Sequence, residues 1–335
     1  ARGAKAGSNG GTRGERLASA VLQSGGILLL IPIAIAYLAQ LIVAGDPITP
    51  SGLLFVLLLT AVTLLGGLID FLERRQKGTR RGRRLLKFGG QGAIGVAFGL
   101  AALTFANSRG LTPASGYISF VTNLKFDFLT VGLLGLVAAV VWIAVIIVGG
   151  ASAVSVIEGY DGLAAGLAAM ALVGYVFVTA WQYNESCLNL TLARENLYKC
   201  YSTSDPESLV EIAAVVLASL LGFIWWNTHP AQVQLGESGS FLLGCAIAAL
   251  AIMTDTELLL ILFFAVFAVF ARVALPPKST RTPSRRWPLP AIPSARGRLL
   301  VAGTSEITIV VRFWILAALL SAAGIAIFYG TWLSK

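Results

Sequence analysis

The sequence predicts an all-α, polytopic integral membrane bundle of about nine transmembrane helices, and three observations carry that prediction. Of 335 residues, 56% are hydrophobic and only 12% charged, with a mean hydropathy of +0.81, which is more apolar surface than one soluble core can hide. Apolar runs of about 17 to 25 residues recur, each the length an α-helix needs to cross roughly 30 Å of hydrocarbon. The 36 glycines suit membrane helices, whose close packing relies on small residues because lipid offers no hydrophobic drive between them. A soluble bundle would show polar stripes at a period of about 3.6 instead. The net charge of +9 does not indicate nucleic acid, because the basic residues stand beside the apolar runs, where they set topology and meet anionic headgroups.

The elements follow in order. Residues 1–19 are small, polar and basic, with Arg2, Lys5, Arg13 and Arg16, and are expected to be a disordered tail. The chain opens on Ala1 rather than Met, as a processed or truncated product would; the first apolar run is too long for a cleaved signal peptide. From residue 20 the remainder is expected to form a single transmembrane domain to 335. Spans are expected near 20–44, 52–69, 92–106, 128–149, 162–180, 208–226, 240–252, 257–274 and 309–332. Between them, the motif-bearing loops are 70–88, 150–161, 227–239 and 275–308.

Basic residues counted on alternate loops set the orientation. The tail holds four, segment 70–88 eight and segment 275–308 six; the opposite side holds only Arg109, Lys125, Arg194, Lys199 and Lys335. This places the N-terminus and the four motif loops in the cytoplasm of a multi-pass inner (plasma) membrane protein. Segment 181–207 then faces an oxidising space, where Cys187 and Cys200 can pair, the alternative being two free thiols. Cys245, mid-span, reads as a small packing residue. Asn184-Glu-Ser186 and Asn189-Leu-Thr191 fit the glycosylation pattern, which matters only in a eukaryotic secretory route.

Each motif has a plain alternative. Gly90-Gln-Gly92-Ala-Ile-Gly95 fits the dinucleotide-binding glycine spacing, but no strand precedes it and it opens a span, so helix packing is the better account. The basic run Arg74 to Lys87 reads first as topology signal and lipid contact, and second as a funnel for phosphorylated substrates. Acidic residues at span ends are more informative: Asp70, Glu158 and Asp161 in Glu158-Gly-Tyr-Asp161-Gly162, and Glu237 in Gly236-Glu237-Ser-Gly239-Ser240. Carboxylates at a membrane boundary are costly, so a set converging from three loops is a candidate site, whereas each alone could cap a helix or pair with an arginine. Hard oxygen ligands beside a basic surface would suit Mg²⁺ on a diphosphate. His229, the one histidine, reads as a loop hydrogen-bonder rather than a catalytic acid or base.

Four stretches in order resemble the bacterial phospho-N-acetylmuramoyl-pentapeptide transferase family, within the polyprenyl-phosphate hexosamine-1-phosphate transferases. They are Gly66-Gly67-Leu68-Ile69-Asp70, Gly159-Tyr-Asp161-Gly162-Leu-Ala-Ala-Gly166, Trp226-Asn227-Thr-His229-Pro-Ala-Gln232-Val with Gly236-Glu237-Ser-Gly239-Ser240, and Val311-Arg312-Phe313-Trp314-Ile315. The resemblance implies a ten-span fold whose cytoplasmic loops bind a UDP-sugar and Mg²⁺. A polyprenyl phosphate attacks the diphosphate, phospho-sugar passes to the lipid and UMP leaves. It also implies catalytic roles for Asp70 and Asp161, a metal ligand in Glu237, and substrate or cofactor contacts from Glu158, Asn227 and His229.

The chain departs from that family's pattern repeatedly. The adjacent aspartate pair becomes Asp70-Phe71; the asparagine and first aspartate of N-x-x-D-G-x-D-G become Ser155 and Glu158; the metal-binding aspartate becomes Glu237; the triple histidine aligns with Arg296-Gly297-Arg298; and residues 1–19 stand in place of the first span. Two function classes follow. One is a Mg²⁺-dependent phospho-sugar transferase making a lipid-linked cell-wall precursor, with activity reduced or lost. The other is a catalytically silent subunit that binds polyprenyl phosphate or another membrane lipid, or scaffolds a membrane complex. A transporter is weaker, since no internal repeat or mid-depth ionisable residue is evident and Arg312 can snorkel from a span end.

Overall fold

The computed structural model describes residues 25–44, 49–75, 79–115, 117–118, 126–127, 132–187, 200–274 and 305–334. The expected tail 1–19 and Arg296-Gly297-Arg298 lie outside them. Nine helices occur among the described residues: α1 Gly25–Ala44, α2 Pro50–Arg74, α3 Arg80–Thr104, α4 Leu133–Ile157, α5 Leu163–Asn184, α6 Pro206–Asn227, α7 Gly236–Met253, α8 Glu257–Ala274 and α9 Glu306–Leu333. Seven are long and apolar enough to cross a membrane; the apolar parts of α1 and α8, Gly25–Gln40 and Glu257–Phe270, are shorter. Between α3 and α4 a two-residue antiparallel ladder pairs Tyr117–Ile118 with Phe126–Asp127. The protein is therefore an all-α polytopic membrane bundle.

Several helices outrun their apolar segments because polar residues start or extend them. The Thr49 and Thr79 hydroxyls accept from the Gly52 and Gly82 amides at 3.2 and 3.1 Å, and Ser305 accepts from the Thr308 amide at 3.2 Å, so each satisfies an orphan donor of a first turn. The basic stretch expected as a loop is largely the end of α2 and the start of α3. Gly90, Gly92 and Gly95 lie inside α3; Gly90 packs against Leu65 and Gly95 against Ala144, while a Cβ on Gly92 would meet nothing within 4 Å.

Helix α7 is the axis of the bundle. Every residue from Ser238 to Met253 is buried, and α7 packs on α2 and α4, with α1, α5 and α8 completing its surroundings. Glycines allow these approaches: a Cβ on Gly66 would stand 2.5 Å from the Ser238 Cα, and Gly150 and Gly244 would each drive a Cβ into the other's backbone. Outward-facing side chains are large and apolar, as in Ile42, Leu133 and Trp225, which suits lipid contact rather than water.

Helices that alternate in direction bring the ends of α2, α4 and α6 and the starts of α3, α5, α7 and α9 to one end of the bundle. At the other end Cys187 and Cys200 form a disulfide, as the oxidising-side reading expected. Nearby, Trp181 packs edge-on against Tyr329 and Trp332, and Asp205 takes hydrogen bonds from Ser51 and Asn107.

Candidate functional site

At the end where the motifs meet, a cavity of about 450 Å³ is lined by Asp70, Ser155, Glu158, Asp161, Asn227 and Glu237, among others. Five of the six sequence-expected site residues thus share one wall, although they come from four separate segments. The sixth, His229, joins through Asp161: its Nδ1 lies 3.1 Å from Asp161 Oδ2, which also accepts from the Ala231 amide at 3.2 Å.

Asp70 sits near the end of α2 and faces the first turn of α7. Its Oδ1 accepts from the Glu237 amide at 3.1 Å and its Oδ2 from the Ser238 amide at 3.2 Å. A carboxylate placed there satisfies two orphan donors and meets the positive end of the helix dipole. Close packing of Gly66 on Ser238 brings it within reach. The next residue, Phe71, is half exposed and lies under the Arg75 guanidinium, 4.8 Å from the ring centroid.

Glu237 makes the densest contacts. Lys87 Nζ donates to its Oε1 and Oε2 at 2.7 and 2.8 Å and to Ser155 Oγ at 2.7 Å, while the Ser155 hydroxyl donates to Glu237 Oε2 at 2.8 Å. Lys87 also lies 5.2 Å from the Phe241 ring centroid. Three helices, α3, α4 and α7, meet at this cluster. Lys87 stood in the sequence only as one of a run of cations; the available signal was helical spacing. Arg83, Lys87, Gln91 and Gly95 follow at four-residue intervals, and Gln91 and Gly95 are buried, so helical spacing places Arg83 and Lys87 on the packing face of α3 without choosing between them.

Glu158 follows the last residue of α4 and accepts from Ser240 Oγ at 3.1 Å. The residue as a whole is exposed, yet its carboxyl is crowded by protein. Burial, then the negative charge of Glu237 and, more weakly, of Asp70, push its pKa up to about 7, against hydrogen bonds from Ser240 and the Gly236 amide. Asn227 is buried and its Nδ2 donates to the Val233 carbonyl at 2.8 Å, so one side of its amide fastens the loop before α7.

The carboxylates share a cavity without forming a metal cage. Among the described residues, the one group of three histidine, cysteine or carboxylate ligand atoms lying within 4.8 Å of one another is Asp161, His229 and Glu306; Asp70, Glu158 and Glu237 are not such a group. Glu306, at the first position of α9, was not singled out in the sequence. The fourth motif stretch serves packing here: Trp314 lies so close to Gly166 that no Cβ could stand there.

A sequence model of the family described as glycosyl transferase family 4 matches residues 53–255. The chain is 36% identical over 318 residues to a phospho-N-acetylmuramoyl-pentapeptide-transferase of Clavibacter sepedonicus, covering 93% of this chain and 86% of that one. It is 36% identical over 314 residues to that of Kineococcus radiotolerans, covering 92% and 85%. Against that of Saccharopolyspora erythraea it is 36% identical over 312 residues, covering 92% and 84%.

Proposed function

The chain belongs to glycosyl transferase family 4, among the phospho-N-acetylmuramoyl-pentapeptide-transferases, and on that premise we propose that its cleft keeps the binding half of a phospho-sugar transfer while the transfer step is slowed or lost. The donor is a UDP-sugar and the acceptor polyprenyl phosphate at the cytoplasmic face of the plasma membrane, as in lipid-linked cell-wall precursor synthesis. Membership implies a divalent-metal requirement for transfer, with Mg²⁺ the ion suited to oxygen ligands on a diphosphate.

The observation that carries the reading is the state of Asp70. Phosphoryl transfer depends on positioning and charge stabilisation, and a carboxylate serves it by turning free oxygens toward the reacting groups. Here each Asp70 oxygen accepts one amide of α7, which turns the carboxylate toward the start of that helix and leaves it fewer acceptor sites for the cavity, and the neighbouring position presents Phe71, which can neither ligate nor take a proton. Asp161 is retained, is held by His229 and the Ala231 amide, and lines the same cavity, where it remains able to meet a polar ligand.

The test is direct. Purified protein is incubated with UDP-sugars, Mg²⁺ and undecaprenyl phosphate, and UMP release is compared with that of a 36%-identical relative. If each altered group costs about 3 kcal/mol of transition-state stabilisation, roughly a hundredfold, turnover falls by at least about a hundredfold. The triple restoration Phe71→Asp, Glu158→Asp and Glu237→Asp raises it. Turnover by the unmodified chain at the relative's rate would refute the reduced-transfer reading. Absence of turnover in both versions, with co-purifying lipid or a larger complex, would favour the silent lipid-binding or scaffolding reading.

A further inference from the structure

Two of the positions at which the motif loops depart from the family's pattern contact the same atom. Ser155 stands in the asparagine position and Glu237 in the aspartate position, and both hold Lys87 Nζ, at 2.7 Å and at 2.7 and 2.8 Å. Glutamate carries one methylene more than aspartate, so it reaches further from the start of α7 toward α3. Serine then joins the pair by accepting from the ammonium and donating to Glu237 Oε2. The Phe241 ring, one turn along α7 from Glu237, lies near the same ammonium. Lys87 and Glu237 side chains are 19% and 22% exposed, so water screens this pair less than one at the surface.

From this arrangement we infer that the Lys87 ammonium is the resident cation of the Glu237 position and that no divalent ion binds there. The inference rests on the proposed reading of the cleft as a family site, and its test reads ion binding without turnover, so either can fail alone. The donor set agrees. A Mg²⁺ on Glu237 would lie about 2 Å from its oxygens, and those oxygens already hold an ammonium at contact distance; two cations would share one shell and repel. The other carboxylates do not complete a cage, because Asp70, Glu158 and Glu237, although they line one cavity, do not bring three ligand atoms within 4.8 Å of one another. An internal ammonium neutralises the carboxylate permanently, with three donors fixed in direction, but it cannot bridge a diphosphate as a divalent ion does.

Mn²⁺ stands in for Mg²⁺ in electron paramagnetic resonance titrations of the full chain in detergent. Expected is Mn²⁺ binding by the unmodified chain that is unchanged in Glu237→Gln; binding lost in His229→Ala instead would place that ion at the Asp161, His229 and Glu306 group and still uphold the inference. Lys87→Met is expected to tighten Mn²⁺ binding at least about tenfold, since a unit charge in contact with the ligand is removed, and Lys87→Met with Glu237→Gln to lose that gain. Mn²⁺ binding by the unmodified chain that falls in Glu237→Gln overturns the inference. A folded Lys87→Met chain with no added Mn²⁺ affinity overturns it as well. Should Lys87→Met fail to fold, the comparison of the unmodified chain with Glu237→Gln decides alone.

Discussion

Glu158 shows how a single residue reports the electrostatics of the whole cleft. Its pKa lies near 7 in the folded protein against 4.5 for the free side chain, because burial and the charges of Glu237 and Asp70 disfavour ionisation. The sign follows from linkage: between those two values the folded chain binds more protons than the unfolded one, so stability falls as pH rises through that window. Thermal unfolding in EDTA is therefore expected at higher temperature at the acid end of the window than at the neutral end. Glu158→Gln should flatten the profile, because it keeps the shape and removes the titration; an unchanged slope would show that other groups set it. Much of this residue scale was legible in the sequence, since Asp70, Glu158, Asp161, Asn227 and Glu237 were marked by motif and line one cavity. Lys87 and Glu306 were not marked. Their importance depends on which neighbours they meet across helices, and a run of cations near Lys87 has an ordinary explanation in topology.

At the scale of elements, the start of α7 is where helix and site are the same object. The carboxylate of Asp70 caps it from α2 through the Glu237 and Ser238 amides. Asp70→Ala is expected to cost about 1–2 kcal/mol of stability, the worth of a good N-terminal cap, measured as a lowered unfolding midpoint in detergent; Asp70→Asn should lose less. Further along α7, Gly244 meets Gly150 of α4 backbone to backbone. Gly244→Val must push the two helices apart and is expected to cost about 1–3 kcal/mol or more by overpacking, again read from the unfolding midpoint. An unaltered midpoint would mean that α4 and α7 do not pack this closely. Glycine abundance predicted close packing but could not say which pairs meet, because helices of similar apolar length offer many equivalent partners.

For the molecule as a whole, the prediction is orientation. The motif end carries Arg81, Arg83, Arg84 and Lys87 at the start of α3, and the opposite end carries the Cys187–Cys200 disulfide, so the motif end should face the cytoplasm and the disulfide the outside. With the three native cysteines replaced, a single cysteine at Arg81 or Ser305 should resist a membrane-impermeant maleimide in intact cells, while one at Arg109 should react. Ready labelling at Arg81 would invert the assignment and place the cleft outside, away from any cytoplasmic nucleotide.

By itself the sequence determined the class of solvent, the approximate number of the spans and the family, and it marked the residues that line one cavity. These follow from hydropathy and motif order, which are properties of the chain read locally. The tertiary structure alone decided that both Asp70 oxygens serve the α7 amides, that Ser155 and Glu237 close on Lys87, and that Asp161, His229 and Glu306 form the convergent donor group among the described residues. Each of these depends on the rotation of one helix against another, and a rotation of a few tens of degrees would redirect every such side chain while leaving the apolar pattern of the spans intact.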